Sequence, residues 1–98
     1  MFQFEWDENK AVANLKKHQV SFLEASTVFF DENARLLADP EHSDVEDRFL
    51  LLGFSQAHKM LVVCHCFKAD ESVIRIISAR KATKHETKQY WSFYEKRV

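Results

Sequence analysis

The chain has 98 residues, is 46% hydrophobic and 13% aromatic, and carries a net charge of −1. That composition excludes a disordered segment, and the length supports one hydrophobic core but not two. No apolar run is long enough to span a membrane, and a single Gly (Gly53) and a single Pro (Pro40) exclude a Gly-rich phosphate cradle.

Phe2, Phe4 and Trp6 alternate with Gln3 and Glu5, which predicts a short strand. Asp7 then suits the N-cap of a helix over 8–17 with Ala11, Val12 and Leu15 as its inner stripe. Lys16, Lys17 and His18 close it, where cations suit a helix C-terminus. Ser21 with Glu24 forms a capping box for a second helix reaching to about Phe30, burying Phe22, Ala25, Val28 and Phe29. Residues 34–38 read as a brief strand, and the acidic stretch 39–47 with Pro40 as a solvated loop. Residues 48–55, 60–68 and 73–80 form three consecutive strands with short turns, a meander and therefore antiparallel.

In the last of these strands, regular alternation puts Arg80 on one face with Ile74, Ile76 and Ser78, and Arg75 on the other with Val73 and Ile77. An arginine beside such an apolar run needs an anionic partner, either a carboxylate or a phosphate. Thr83 and Glu86 make a third capping box, opening a helix from Lys84 to about Lys96 with Tyr90, Phe93 and Tyr94 in a stripe. The expected fold is α+β: one domain over residues 1–98, with two N-terminal helices and a C-terminal helix packed on a small antiparallel sheet.

Charge is uneven. Residues 1–56 hold five Lys/Arg against eleven Asp/Glu, and residues 57–98 hold nine against four. Attraction between the two halves of one fold accounts for this, although clustered cations also suit a polyanion. Cys64 and Cys66 flank His65 in a strand; side chains at i and i+2 are poorly placed for a disulfide, and no second Cys pair completes a zinc site. Both read as buried thiols of a reducing compartment, with no metal and no cofactor expected. The first residues, MFQFEWDENK, lack the basic and apolar regions of a signal peptide, so a cytoplasmic location is expected, without a membrane partner.

Three segments, FEWDENKAVANLKKHQVSF, EDRFLLLGFS and IRIISARKATKHE, together resemble the BrnT-type toxins of bacterial type II toxin–antitoxin modules. The resemblance runs in the same order over nearly the whole chain. It implies a RelE-like fold and a ribonuclease that arrests growth by cutting RNA. It also implies neutralisation by a ribbon-helix-helix antitoxin of the BrnA type, with operator DNA bound only through the complex, as a homodimer or a 2:2 assembly. Three positions depart from the family pattern: Gln19 stands where relatives usually have Gly, and Phe67 and Lys68 where they often have Tyr and Arg.

Metal-free RNA cleavage needs a base for the ribose 2′-OH, cations for the charge growing on phosphorus, and an acid for the leaving 5′-oxygen. Arg80 with Lys81 leads the phosphate-stabilising candidates, followed by Arg48 and Arg75. Arg48 also fits an ion pair with Glu46, and Arg75 an ion pair with the acidic N-terminal half. His18 is the candidate acid or base because histidine titrates near neutrality, with Lys17 beside it for the phosphate and Glu46 as the competing base. His18 equally fits a simple helix-end role. Trp6 can stack on a base or pack in the core, and Lys68 joins the RNA-binding candidates. His65 reads as a core histidine. The alternative function is a degenerate toxin that binds the antitoxin and co-represses the operon without cleaving, which the Phe67 and Lys68 departures support.

Overall fold

A computed structural model describes residues 2–39, 47–68, 70 and 72–97. Five strands, β1 (Gln3–Glu5), β2 (Arg35–Ala38), β3 (Arg48–Phe54), β4 (Met60–Lys68) and β5 (Val73–Lys81), form one sheet in the order β1-β5-β4-β3-β2. The helices are α1 (Glu8–His18), α2 (Phe22–Thr27) and α3 (Lys84–Arg97), and a 3-10 turn over Val28–Phe30 extends α2. The α+β class and the β3-β4-β5 meander are as expected. The sheet is not purely antiparallel, however: β1 pairs with β5 in parallel, Glu5 lying opposite Arg75. A parallel partner comes from a distant part of the chain, and no hairpin turn announces it. Of the acidic stretch expected to be a solvated loop, 40–46 lie outside the described residues, while Asp39 is buried.

All three predicted N-caps form, but Ser21 and Glu24 make only half of the expected capping box, because the Glu24 carboxylate accepts from Ser55 Oγ at 2.8 Å. Asp7 Oδ1 accepts hydrogen bonds from the amides of Asn9 (2.8 Å) and Lys10 (3.3 Å). Ser21 Oγ accepts from Glu24 N at 3.0 Å, and Thr83 and Glu86 cap one another reciprocally at 3.1 and 2.8 Å. The inner face of α1 differs from the periodic reading. Val12 and Leu15 are half-exposed, at 53% and 51%, whereas Asn14 is buried. Its Nδ2 donates to the carbonyls of Val20 (2.9 Å) and Ala79 (2.8 Å), and its Oδ1 accepts from Ala79 N at 3.0 Å. The side-chain amide thus acts as a strand surrogate against β5, stitching helix to sheet.

The helices divide the sheet into two faces. Val20, Phe22, Ala25 and Val28 pack on Leu51, Leu61, Val63, Ile76 and Ala79, forming the main core between α1, α2 and the sheet. Burying a side chain such as Phe22 there is worth about 2 kcal/mol. On the opposite face α3 contributes a smaller cluster of Leu52, Val62 and Tyr90. Tyr90 donates its hydroxyl to Asp31 Oδ2 at 2.9 Å, and the same oxygen accepts from Phe54 N at 2.9 Å, tying the helix to the end of β3. Arg35 caps the other side of α3, its guanidinium 4.5 Å from the centroid of Phe93.

A β-bulge changes which residues share a face. Cys64 pairs with Ser78 but His65 pairs with Ile76, so Ile77 is the extra residue on β5. Ile74, Ile76 and Ala79 accordingly all point into or towards the main core, and Arg75, Ser78 and Arg80 all point to the α3 face. The regular alternation expected from the sequence, with Arg75 and Arg80 on opposite faces, is therefore replaced by a shared face.

Candidate functional site: an arginine row on the open sheet face

The same face of the sheet carries polar side chains in register along one line. Asp39 N bonds to Arg48 O at 3.0 Å, Arg48 pairs with Cys66, Cys66 with Arg75, and Arg75 with Glu5. One line across five strands thus reads carboxylate, guanidinium, thiol, guanidinium, carboxylate. With neighbouring strands about 4.8 Å apart, the Cα atoms of Arg48 and Arg75 stand about 10 Å from one another. Cys64 and Ser78 lie in the next row, and Lys68 lies two positions beyond Cys66 on the same face.

Each member has a distinct environment. Arg75 Nη1 donates to Glu5 Oε2 at 2.6 Å, and both side chains keep contact with solvent, at 34% and 42% exposure. This hydrogen bond, with the charge of Glu5, raises the Arg75 pKa. Arg48 is half-buried at the start of β3. Burial and then the neighbouring Asp39, whose Oδ2 is 3.6 Å from Sγ, push the Cys64 thiol up to about 11. Arg48 and Ser78 pull the other way. Two guanidiniums on one face of the sheet, either side of a small thiol, are suited to hold a phosphodiester and to stabilise charge growing on it.

The other sequence candidates separate into those on this face and those away from it. Arg80 is on it, but its guanidinium forms a double hydrogen bond to Glu86, at 2.8 and 2.9 Å. That contact, together with the capping role, holds the Glu86 carboxyl down at about 2. Of the two anions that the sequence allowed for Arg80, the carboxylate is present inside the molecule. Lys81 pairs with Leu61 at the end of β5 and is exposed, with its alternation towards the α1/α2 face. Lys17 and His18 close α1, which packs on the opposite side of the sheet, so the fold does not bring them together with the arginine row. Trp6 packs edge-on to Phe22 with centroids 6.0 Å apart and donates Nε1–H to Glu8 at 3.0 Å, beside a groove formed with Ala11, Val12, Leu15 and Leu23. Glu46 lies outside the described residues.

His65 is fully buried on the α1/α2 face, with Nδ1 3.1 Å from Val63 O and Phe29, Phe49 and Phe67 around its ring. Burial lowers its pKa and keeps it neutral, as a core histidine. Phe67 belongs to the same aromatic group, 5.5 Å from Phe49. A tyrosine hydroxyl at 67 would project on the side of the sheet away from the arginines, so the Phe67 departure leaves the row untouched, whereas Lys68 lies on the arginine side. Among the described residues, no cluster of three His, Cys, Asp or Glu is placed to hold a metal ion.

Sequence reasoning did not find Glu5, Asp39, Cys66 or Ser78 as parts of one site. The alternation of Phe2 and Phe4 with Glu5 was legible, but the parallel pairing that brings Glu5 to Arg75 was not. The family model described as the ribonuclease toxin BrnT of type II toxin–antitoxin systems matches residues 6–86. Among solved structures, a 1.1 Å crystal structure of the Brucella abortus ribonuclease toxin BrnT is similar in fold, with a TM-score of 0.67 and 20% identity. That alignment covers 86% of this chain and 100% of the other. No curated protein matches.

Proposed function

The chain belongs to the BrnT family of ribonuclease toxins of type II toxin–antitoxin systems, and from that premise we propose that its arginine row is the centre that cuts RNA. The single observation that carries this reading is the register Arg48–Cys66–Arg75, which puts two arginines on one face of the sheet. Cleavage follows the metal-independent route: the ribose 2′-oxygen attacks the adjacent phosphorus, the bond to the 5′-oxygen breaks, and a 2′,3′-cyclic phosphate remains. Arg48 and Arg75 stabilise the charge on the phosphorane, and Lys68 supports the strand as it crosses the face. DNA lacks the attacking hydroxyl and resists cleavage.

In this reading residues 1–98 act as one RelE-like domain in the cytoplasm, held inactive by a ribbon-helix-helix antitoxin in a 2:2 complex that binds operator DNA. The second reading, a partner-binding module that no longer cleaves, draws support from the engagement of Arg75 by Glu5 and of Arg80 by Glu86. Induced expression alone and with a co-expressed antitoxin candidate separates the two. Growth arrest relieved by the partner, with new RNA ends bearing cyclic phosphate and formed equally in excess EDTA, is the expected result. Soluble protein without arrest selects the binding module, and loss of cleavage in EDTA removes metal independence.

A further inference from the structure

We propose that Glu5 is the general base of the cleavage, taking the proton of the 2′-hydroxyl while its other oxygen stays on Arg75. The inference rests on the ribonuclease reading of the arginine row and deepens it by naming a residue for the proton transfer.

Glu5 ends β1 directly opposite Arg75, on the open face and at the end of the row. Among the described residues only Oε2 is engaged, in the 2.6 Å bond from Arg75 Nη1, and the side chain is 42% exposed, so a substrate held by Arg75 lies within reach of Oε1. The other described acidic groups near this face are committed. Asp39 is 6% exposed and turned to Cys64. Glu86 is bonded by both nitrogens of Arg80 and by Thr83 N, and its pKa of about 2 makes it a poor proton acceptor. Asp7 is held at the start of α1 by its Oδ1, which accepts from the amides of Asn9 and Lys10. His65 is sealed in the core and His18 ends a helix on the other side of the sheet.

Arg75 on β5 is the charged group bonded to Glu5, and Cys66 one strand further and Asp7 at the start of α1 are the other titratable groups that bear on the same guanidinium. Arg75 does two things in this arrangement. It points the carboxylate, and it brings the phosphate to it, so base and scissile bond are fixed by one planar fork. The 2′-O–H bond breaks with its proton passing to Glu5, the 2′-oxygen–phosphorus bond forms, and the phosphorus–5′-oxygen bond breaks with the 5′-oxygen protonated by water.

The test is the pH–rate profile for a mixed-sequence RNA oligonucleotide cut by the wild-type protein, by Glu5→Gln and by Glu5→Asp. The amide of Glu5→Gln still accepts a hydrogen bond from Arg75 but cannot take a proton, so a loss of about 100-fold or more in kcat/KM is expected, together with loss of the acidic limb. Glu5→Asp keeps the charge, and with it the acidic limb, at a rate lowered by about tenfold or more through misplacement. It also serves if the glutamine variant does not fold. Wild-type rates in either variant, or an acidic limb that persists in Glu5→Gln, overturn the role of Glu5 while leaving the ribonuclease reading intact. Absence of cleavage by the wild-type protein overturns that reading and the role of Glu5 with it.

Discussion

Arg75 and Arg80 stand on the same face of β5 because Ile77 bulges out between them. An odd number of steps along a regular strand would have sent one arginine into the α1/α2 core. The bulge resets the alternation, keeping Ile76 and Ala79 in the core while both cations face α3. They nevertheless do different work. Arg75 shares a cross-strand row with Arg48, and Arg80 is occupied in fastening α3.

Alanine substitution separates these roles. Arg48→Ala and Arg75→Ala each lower RNA cleavage by about 100-fold or more. Thermal melts followed by circular dichroism should stay close to wild type for Arg75→Ala, whose ion pair is solvent-exposed. Cleavage that survives both substitutions would move the phosphate site off this row.

Arg80→Ala acts on stability. It leaves Glu86 without its double hydrogen bond and destabilises the protein by about 1 kcal/mol, because the pair is partly screened by solvent. The pH dependence follows from the direction of the shift. The Glu86 pKa falls from 4.5 to about 2 on folding, so the pair contributes in full above the unfolded value and is lost as pH drops towards 2. Denaturant melts between pH 6 and pH 2 (roughly, spanning the carboxylate range) should show a smaller acid loss in Glu86→Gln than in wild type. Equal losses would show that Glu86 is not the responsible group.

Gln19 carries a strained turn. It caps α1 in the left-handed region with φ 56°, where a side chain is disfavoured and Gly is at ease. Its own Nε2 donates to Lys16 O at 3.2 Å, which offsets part of the cost. Gln19→Gly should raise stability by about 0.5 kcal/mol in urea unfolding. A destabilised variant would mean that the side-chain bond outweighs the backbone strain.

Gly53 leaves no room for a methyl group. A Cβ there would meet Ala34 Cβ and Asp31 Oδ2 at 2.9 Å and Val28 Cγ1 at 3.0 Å. Gly53→Ala must displace the Asp31 carboxylate that binds Tyr90 and Phe54, so a loss of about 1–3 kcal/mol is expected. The readout is the unfolding midpoint, with Tyr90→Phe as the companion that removes the same bond from the α3 side. A neutral Gly53→Ala would show that the 3-10 turn and its flanks give way freely.

Local signals in this chain were reliable where the physics is local. Asp7, Ser21 and Thr83 each sit within three residues of the amides they cap, so the helix starts could be read directly. The three long strands are runs of β-branched and apolar residues, and their short turns leave little choice but an antiparallel meander. The family resemblance rested on the same contiguous segments, and the family assignment confirms it.

What tertiary structure alone decided is which residues meet. Asn14 looks like a helix surface position until Ala79 supplies the backbone groups that bury it. Glu5 becomes part of a site only because β1 docks in parallel on β5, and Arg80 joins the face of Arg75 only because Ile77 bulges. Caps and strand runs depend on neighbours a few residues away, whose geometry the covalent chain nearly dictates. A cross-strand row depends on register between segments far apart in sequence, and register is set by the packing of the whole core.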